Sequence, residues 1–586
     1  MGEILSVNFL KEKFLKELKG FITDEIKDRE LSDADFIGFF KSIKLEEPKN
    51  KEFGDLSTNA AMVLSSVFKK KPMDLAEELK ERIFAHWDML ESVGVVSPGF
   101  INFNLKDSAI FQNLSDIFLE GGDFGKNKSG SGKKIQIEYV SSNPTGNLHI
   151  GHGRWGVMGD VLSSVYEANG YDIVREYYVN DYGTQTKIFA ECVKSLYLKK
   201  AGLEFAYPAD GYPEATIDVV AQKLFDDYGD KFILNSGKIL TDDTAIEKIA
   251  VDIMLSSIKN TLLSIGVEFD CWFTESSLYR DNNFEKTISF LKVNDLTYEK
   301  DGALWFKSTN YGDDKDRVII RSDGNPTYFA SDIMYLINKK ERGFDSLIYI
   351  LGADHHGYIS RLKAIGKSIG LAADAVNIII GQLVRLVEGK DVLKMSRRKG
   401  RGMTLGDLAG EVGKDAVRYF FSMNSFDTHM DFDVSLAKKK SSANPVFYVQ
   451  YAHARIESLI RKLSEAAPEN MDQKQINEIN NSGGGFYSQL LKDPEEMEFK
   501  NKSERNLAWI LSIFPDVIFD ACKNNSPHFL TQYLYRLSSE FHYFYKHNII
   551  IGKNRANIRR LVLVAAARIV LRNGLSVLGI SAPQKM

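Results

Sequence analysis

The spacing of hydrophobic residues changes twice along the chain, which predicts three structural regions. Up to residue 106, apolar positions such as Leu10, Phe14 and Leu18 recur at helical spacing, and a short strand pattern at 100–104 closes the region. From residue 133, short apolar runs alternate with helical stretches, which is typical of a parallel sheet covered by helices. From about residue 404 strand signals fade, and from residue 441 long helical patterns follow one another. We therefore expect a mixed N-terminal region, an α/β core and an all-helical C-terminal region.

The elements of the core and of the C-terminal region follow from the same patterns. Core strands are predicted at 135–140, 173–178, 318–321, 346–351 and 376–380, and core helices at 157–168, 333–340 and 359–369. C-terminal helices are predicted at 446–463, 507–522, 530–547 and 558–572, the last ended by Asn573-Gly574. The predicted division is an N-terminal domain at 1–106, a linker at 107–132, an α/β domain at 133–403 with a helical, locally acidic insertion at about 195–270, a connecting segment at 404–440 and a helical domain at 441–586.

Composition and charge limit the functions that this chain can have. Its 75 basic and 79 acidic residues give a net charge of −4, so a nucleic-acid partner would have to be met by local basic patches. The three cysteines (Cys192, Cys271, Cys522) form no CxxC pair, which argues against a disulfide framework and a cysteine-based zinc site and fits a reducing cytosol. There is no secretory leader pattern and no run of about 18 apolar residues, so we expect no membrane span.

The strongest chemical signal is a loop between the first core strand and the helix that follows it. This loop ends in His149-Ile150-Gly151-His152, which places two imidazoles three residues apart at a helix start, and so on the same side. Helix N-termini favour phosphate, and imidazoles there can donate hydrogen bonds to charge that builds on an α-phosphate under attack. Gly151 leaves space where a base or ribose would approach the backbone. The alternative is a pair of histidines satisfied within a loop.

A second, basic loop lies about 240 residues further on. It carries five cations in eight residues, and glycines on either side give it mobility: Lys394, Arg397, Arg398, Lys399 and Arg401. Alone, such a run is typical of a solvated surface loop. As an ordered pair with the histidine loop, it predicts an enzyme that opens ATP at its α-phosphate.

These motifs resemble those of one enzyme family. The stretch from Ser142 to His152 is similar to the HIGH signature of class I aminoacyl-tRNA synthetases, and the flanks 153–160 and 175–181 resemble the arginyl-tRNA synthetase form. The basic loop resembles the KMSKS signature, with Arg397 where the family commonly has a second lysine. Arginine keeps the charge there but is planar and bidentate.

The resemblance extends over essentially the whole chain. Residues 444–455 resemble the opening of the family's anticodon-binding domain, residues 573–583 resemble its close, and residues 1–106 resemble its N-terminal RNA-contacting domain. It implies a Rossmann-like parallel-sheet catalytic core, an arginine–tRNA ligase activity through arginyl-adenylate, and tRNA, L-arginine and ATP as partners. Mg²⁺ would accompany ATP, no protein-held zinc is expected, and we expect a cytoplasmic monomer.

The resemblance also implies a role for individual residues. Those implied in catalysis are His149, His152, Lys394 and Ser396. Those implied in ATP binding are Gly146, Asn147, Gly151, Met395 and Arg397. Those implied in arginine binding are Glu138, Asn143, Tyr328, Asp332 and His355, with His356 as the alternative to His355.

Several of these residues have a plain structural alternative. Carboxylates suit a guanidinium, and Tyr328 and Asp332 are four apart, so on a helix they share a face. Tyr328 could instead be a core aromatic, Asp332 a helix cap, and His355 and His356 a solvated turn after a strand. Lys69 to Lys71 could meet RNA phosphate, although such a run is usually a solvated face.

The helical region mixes aromatic and basic residues, as RNA-stacking surfaces do. The alternative is that these aromatics form the core of a helix bundle. The residues in question are Phe447, Tyr448, Tyr451, Arg455, Arg461, Tyr533, Tyr535, Arg536, Tyr543, Tyr545 and Lys546. Three rival functions remain open from sequence: another cognate amino acid, an RNA-free adenylyltransferase, and a tRNA-binding paralogue without catalysis. The C-terminal domain and the intact histidines disfavour the last two.

Overall fold

The computed structural model describes most of the chain. The described residues are 7–25, 33–48, 50–84, 87–203, 206–233, 243–353, 357–389, 391–393, 403–480 and 498–586. The basic loop at 394–402, the histidines His355 and His356, and the glycine-rich stretch at 483–485 lie outside them.

The N-terminal region packs helices against a small antiparallel sheet. The elements of this region are α1 (Val7–Glu25), α2 (Asp33–Ser42), β1 (Leu45–Glu46), β2 (Leu56–Thr58), α3 (Ala60–Phe68), α4 (Pro72–Arg82), β3 (Leu90–Val96) and β4 (Phe100–Leu105). The sheet has the strand order β1–β2–β4–β3, and its residues Leu56, Ile101 and Phe103 are buried in the core.

The first half of the predicted linker is a helix. Residues Asp107–Glu120 form α5, whose apolar face buries Ile110, Leu114 and Ile117 at zero exposure. The glycines and lysines that suggested a linker begin only where this helix ends, at Gly121. Within the predicted linker at 107–132, the first fourteen residues are thus an amphipathic helix, and the linker-like composition is confined to 121–132.

A five-stranded parallel sheet forms the core, as predicted. Its order is β12–β11–β5–β6–β7, so β5 lies in the middle with β6 and β11 on either side. The core elements are β5 (Lys134–Glu138), α6 (Ile150–Ala168), β6 (Asp172–Val179), α7 (Thr184–Lys200), α8 (Glu214–Tyr228), α9 (Asp243–Ser264), β7 (Cys271–Thr274), α10 (Asn283–Val293), β8 (Thr297–Lys300), β9 (Ala303–Phe306), β10 (Arg317–Ile320), α11 (Tyr328–Glu341), β11 (Ser346–Gly352), α12 (Tyr358–Ser368) and β12 (Val376–Gly381). The Rossmann-like fold class is confirmed.

One predicted core strand belongs to a different sheet. The stretch predicted at 318–321 is β10, which pairs antiparallel with β9 in a separate three-stranded sheet with β8. The strand that does complete the parallel sheet, β7, is only four residues long, and all four are partly exposed. A short edge strand of this kind carries too weak a hydrophobic pattern to be predicted.

Beyond the core, the chain passes through a small mixed sheet into helices. The connecting elements are β13 (Val384–Glu388), β14 (Asp391–Val392), α13 (Leu405–Val412), α14 (Lys414–Phe421), β15 (Met430–Asp433) and α15 (Val434–Ala437). The C-terminal helices are α16 (Pro445–Ala466), α17 (Gln473–Asn480), α18 (Lys502–Ser512), α19 (Phe514–Lys523), α20 (His528–His547) and α21 (Ile558–Val577). The helical C-terminal region is confirmed for its described residues, 441–480 and 498–586.

Two details of the helical region differ from prediction. The helix predicted at 507–522 is two helices, because Pro515 in the first turn of α19 cannot continue α18. The helix predicted to end at Asn573-Gly574 runs on to Val577. Gly574 is there for close packing, since a Cβ on it would lie 2.6 Å from Cδ2 of the buried Leu534.

Candidate active site

The two histidines lie at the start of α6 and bind each other's backbone. His149 is the N-cap residue, and His152 is the third residue of the helix. Nδ1 of each ring accepts a hydrogen bond from the backbone N–H of the other residue, both at 3.3 Å. The rings stack with their centroids 3.5 Å apart. This reciprocal cap fixes both imidazoles at the carboxyl edge of the parallel sheet, where such folds bind ligands.

The cap determines which nitrogen of each ring can donate. A ring nitrogen that accepts a hydrogen bond carries no proton, so in the neutral ring the proton lies on Nε2. Burial lowers the pKa of His152 to about 3, and His149 lowers it further in the same direction. His152 is therefore neutral at physiological pH, and it meets a ligand as an Nε2–H donor.

Small residues and one tryptophan hold this pair in place. A Cβ on Gly151 would lie 3.0 Å from Cε1 of His149, so a side chain there would displace the ring. Trp155 stands edge-on to both imidazoles and packs against Gly381, at the end of β12. Gly151 thus serves the histidine cap as well as the approach of a ligand.

The two other residues of the first loop that were predicted to bind ATP, Asn147 and Gly146, are less constrained by their neighbours. Asn147 is exposed and lines a cleft of about 770 Å³ between α8 and α9. At Gly146 an added Cβ would make only an ordinary contact, 3.9 Å from Thr216. The structure therefore gives no steric reason for glycine at position 146.

The predicted residues of the second loop, Lys394, Met395, Ser396 and Arg397, lie outside the described residues, but both flanks are described. Leu393 donates to the carbonyl of Leu386 at 3.0 Å, and Leu405 donates to the carbonyl of Leu148 at 3.0 Å. The second contact joins the first turn of α13 to the residue just before His149. The two loops are thus tied together at one end.

A second group of predicted site residues forms an acidic pocket, and Asp332 on α11 is at its centre. Oδ2 of Asp332 is buried and finds no hydrogen-bond partner among the described residues. Burial raises the pKa of Asp332 to about 7; Arg361 opposes the shift, and Glu275 and Glu138 add to it. Thr327, not Asp332, is the N-cap of α11, so the helix-cap alternative is excluded. Tyr328, one turn earlier, is 62% exposed and is not a core aromatic.

Glu275 is a member of this pocket that sequence reasoning missed. Its carboxylate accepts from the Ser331 hydroxyl at 2.9 Å, and the Asn180 amide, when its nitrogen is turned towards Glu275, donates at 3.1 Å. Burial raises the pKa of Glu275, while hydrogen bonds from Ser331 and Tyr178 act against the shift. A signal existed, since Glu275 directly follows β7, but that strand was not predicted.

The other predicted arginine-binding residues are held by protein partners. Glu138, the last residue of β5, forms a buried ion pair with Lys339, with Oε2 and Nζ 2.6 Å apart. The Asn143 amide donates to Gln185 at 2.7 Å. His355 lies outside the described residues, so its role stays a prediction. A pocket with two carboxylates of raised pKa and one unpartnered buried oxygen has the chemistry to bind a cation.

An aromatic and basic cluster covers one face of α16 and α20. Tyr448 contacts Tyr535 and His542, and the Arg455 guanidinium lies 4.6 Å from the centre of the Tyr451 ring. Other members of the predicted RNA-facing set are internal. Tyr533 is buried, and Arg536 pairs with Glu47 of the N-terminal region at 2.6 Å.

Family models match almost the whole length of the chain. The model described as "tRNA synthetases class I (R), catalytic domain" matches residues 113–458. The "DALR anticodon binding domain" matches 449–586, and the "Arginyl tRNA synthetase N terminal domain" matches 16–105.

Curated relatives and solved structures agree with these matches. An arginine–tRNA ligase from Carboxydothermus hydrogenoformans is 41% identical over 93% of this chain and 94% of its own length. One from Bacillus cereus is 39% identical over 98% and 100%. The structure of the Thermus thermophilus arginyl-tRNA synthetase covers 99% of this chain and 100% of its own, with a TM-score of 0.71 at 20% identity, which shows a shared fold.

Proposed function

The chain belongs to the class I arginyl-tRNA synthetases, and on that premise we propose which of its residues carry each part of the reaction. The enzyme is an arginine–tRNA ligase: it joins arginine to ATP as arginyl-adenylate, releases pyrophosphate, and transfers the arginyl group to the terminal ribose of its tRNA. No described helix is long and apolar enough to cross a membrane. We propose that the enzyme acts as a cytoplasmic monomer.

His149 and His152 stabilise the transition state of adenylation in this proposal. The observation that carries it is the reciprocal cap, which turns Nδ1 of both rings inward and makes Nε2–H of each the donor for a ligand. Hydrogen-bond donors at a helix N-terminus suit the negative charge that develops as the arginine carboxylate attacks the α-phosphate. ATP would enter as its Mg²⁺ complex. Lys394 and Ser396 would hold the departing pyrophosphate, with Met395, Arg397, Gly146, Asn147 and Gly151 around ATP.

The acidic pocket binds the substrate guanidinium in the same proposal. Asp332 and Glu275 supply carboxylates, and the buried Oδ2 of Asp332 gains the partner that it lacks. Glu138, Asn143 and Tyr328 complete the arginine site, with His355 as a further predicted contact. Among the described residues, no group of three His, Cys, Asp or Glu side chains could hold a metal ion.

The helical region would grip the tRNA through its exposed aromatic cluster. Tyr451 and Tyr535 are 37% and 46% exposed, and a guanidinium lies beside them, so bases can stack there. We propose 441–586 as the anticodon-binding domain and 1–106 as a second tRNA contact.

Asparagine variants test the histidine roles without destroying the cap. In His149→Asn and His152→Asn, the amide replaces Nδ1 as cap acceptor, but the Nε2–H donor is lost. Pyrophosphate exchange in the presence of tRNA should fall by roughly 10²–10³ in kcat, with the ATP KM nearly unchanged, as for the loss of one transition-state donor.

The matched control is His429→Asn, which changes an exposed histidine outside the site. It should leave exchange unaltered. A change confined to the ATP KM of the His149 or His152 variants would show that these residues bind the ground state instead.

A further inference from the structure

A row of polar side chains crosses the parallel sheet at the level of Glu138, the last residue of β5. Tyr349 on β11 is paired with Glu138 on β5, Glu138 with Glu176 on β6, and Glu176 with Cys271 on β7. Residues paired across adjacent strands point to the same face of a sheet, so these four side chains form one line. Two of them, Glu138 and Glu176, are buried carboxylates.

Helix α11 packs over this row with a stripe of side chains that bind the two carboxylates. Asp332, Tyr335 and Lys339 follow one another at spacings of three and four residues, and Arg342 caps the helix three residues later. Arg342 and the Tyr335 hydroxyl both bind Glu176, and Lys339 binds Glu138. Asp332, at the near end of the stripe, faces the candidate arginine pocket.

Lys339 is the most completely enclosed cation of this stripe. It has no exposed surface, its ammonium is 2.6 Å from Oε2 of Glu138, and it lies 4.1 Å and 3.9 Å from the ring centres of Tyr335 and Tyr349. Burial lowers the pKa of Lys339, and the charge of Glu138 opposes this shift. A buried charge of this kind persists only where its surroundings are specific for it.

We infer that Lys339 is a positioning residue for the substrate arginine, acting through Glu138. The inference rests on the proposed role of Glu138 in arginine binding. Glu138 raises the pKa of Asp332, so its charge acts on the guanidinium pocket. Lys339 balances the negative charge of Glu138 and binds its Oε2 atom. This contact fixes the orientation of the carboxylate, and so the direction in which the second oxygen of Glu138 points. The substrate guanidinium then meets the carboxylates of Asp332 and Glu275 together with the correctly oriented carboxylate of Glu138.

Charging kinetics test this inference. In Lys339→Met, a side chain of similar length without charge, the arginine KM should rise at least tenfold, while the KM values for ATP and tRNA stay within about twofold of wild type. The matched control is Lys340→Met. Lys340 is the next residue on α11, but it is exposed and binds the carbonyl of Ile369, away from the pocket. It should leave all three KM values unchanged. Equal rises in all three for Lys339→Met would indicate a merely structural lysine and overturn the inference.

A double-mutant cycle with Glu138→Gln tests whether Lys339 acts through that residue. If it does, Lys339→Met/Glu138→Gln should have the arginine KM of Glu138→Gln alone, because removing Lys339 adds nothing once the carboxylate is gone. Multiplicative effects of the two substitutions would mean independent roles, and the inference would fail.

Two further outcomes separate this inference from the proposed function. If Glu138→Gln leaves the arginine KM unchanged, the proposed role of Glu138 is wrong and the inference goes with it. If Glu138→Gln raises the arginine KM and Lys339→Met does not, Glu138 keeps its role and only the inference is overturned. Should Lys339→Met fail to fold, Lys339→Arg keeps the charge but replaces a point cation by a planar one. Its arginine KM should also rise, and an unchanged value would refute the inference.

Discussion

At the scale of single residues, Asp332 has the most unusual environment among the described residues of the pocket. A buried carboxylate oxygen without a hydrogen bond is costly, and folded proteins keep such groups mainly where function needs them. Its neighbours explain the raised pKa: burial acts first, Glu275 and Glu138 add negative charge, and Arg361 only partly compensates. A guanidinium bound there would supply both the missing donor and the missing charge.

We therefore predict that arginine binding depends on pH near neutrality. Asp332 must be ionised to pair with a guanidinium, and burial raises its pKa to about 7. The arginine KM should fall as the pH rises through 7 and level off above about pH 8. Below pH 7 it should rise by up to about tenfold per pH unit, since each unit is worth about 1.4 kcal/mol. Charging assays from pH 6 to pH 9 measure this.

The matched variant is Asp332→Asn, which keeps the shape but has no proton to lose. Its arginine KM should be higher by roughly 10–150-fold, for a charge-assisted bond of about 1.5–3 kcal/mol, and it should lose the step near pH 7. A variant that kept this step would assign it to Glu275, whose pKa is also raised by burial.

At this scale, position in the sequence and the family resemblance predicted different residues. His149 and His152 stand at a helix start and were predicted from position, whereas Glu138 was predicted from the resemblance. Glu275 and Lys339 were missed for opposite reasons. Glu275 follows a strand too short to detect. Lys339 lies on a helix whose buried side was expected to be apolar, and only the partner sheet shows why a lysine is tolerated there.

At the scale of elements, the packing of α6 on the end of β5 sets the position of the histidines. Val140 and Ser141, just after β5, have φ of 70° and 39°, a region that a β-branched residue rarely adopts. Tyr139, beside them, is fully buried under Gly159 of α6. The helix can approach this strained turn closely only because position 159 has no side chain.

We predict that Gly159→Ala destabilises the protein by overpacking. The added Cβ would lie 2.7 Å from Cδ2 of the Tyr139 ring, and a buried ring cannot swing aside as a flexible chain can. Such overpacking typically costs about 1–3 kcal/mol. Gly410→Ala, also in a helix but with nothing within 4 Å of the new Cβ, should be neutral or stabilise by up to about 1 kcal/mol. Urea unfolding of both variants measures this; equal stabilities would contradict the packing account.

Helices and strands were predicted correctly where a regular apolar pattern extended over many residues. The prediction failed where the structure depended on which strand pairs with which. The strands β5, β6, β11 and β12 and the helices α6, α11, α12, α16, α20 and α21 were located from the pattern of apolar residues. The partners of β10 were not, because the pattern of one strand does not say which strand lies beside it. The end of the last helix was predicted too early for a related reason. Gly574 has the residue type that commonly ends a helix, but here it allows close packing against Leu534 of α20.

At the scale of the whole molecule, the N-terminal and helical regions are joined by partly buried ion pairs. Arg505 of α18 binds Asp55 through two bonds of 2.6 Å and 2.7 Å, and it also binds Asp107 and the carbonyl of Leu105. Asn169 of the core donates to the carbonyl of Ile518 at 3.2 Å. Removing residues beyond 440 would therefore expose core surfaces, so point variants test the RNA-binding role more cleanly than truncation.

We predict that Tyr451→Ala weakens tRNA binding without affecting the small substrates. Loss of one stacked base costs about 1–3 kcal/mol, so the KM for tRNA should rise by roughly 5–150-fold. The KM values for ATP and arginine should stay constant. Phe290→Ala, a change to an exposed aromatic on α10, should alter none of the three. An unchanged KM for tRNA in Tyr451→Ala would remove this cluster from the proposed RNA surface.

Arg418 of α14 is another buried residue that joins distant parts of the chain. It donates to Asp160 of α6 at 2.6 Å, to the carbonyls of Ile265 and Gly266, and to the carbonyl of Leu578, just after α21. A ribosome makes residue 578 long after residue 160. During synthesis, before Leu578 is present, the Arg418 guanidinium therefore lacks one of its hydrogen-bond acceptors. This guanidinium packs beside α6, the helix that carries the histidines. The packing of this guanidinium is therefore completed only after the last helix has emerged, and we expect chains that end before residue 578 to be cleaved by proteases faster than the full chain.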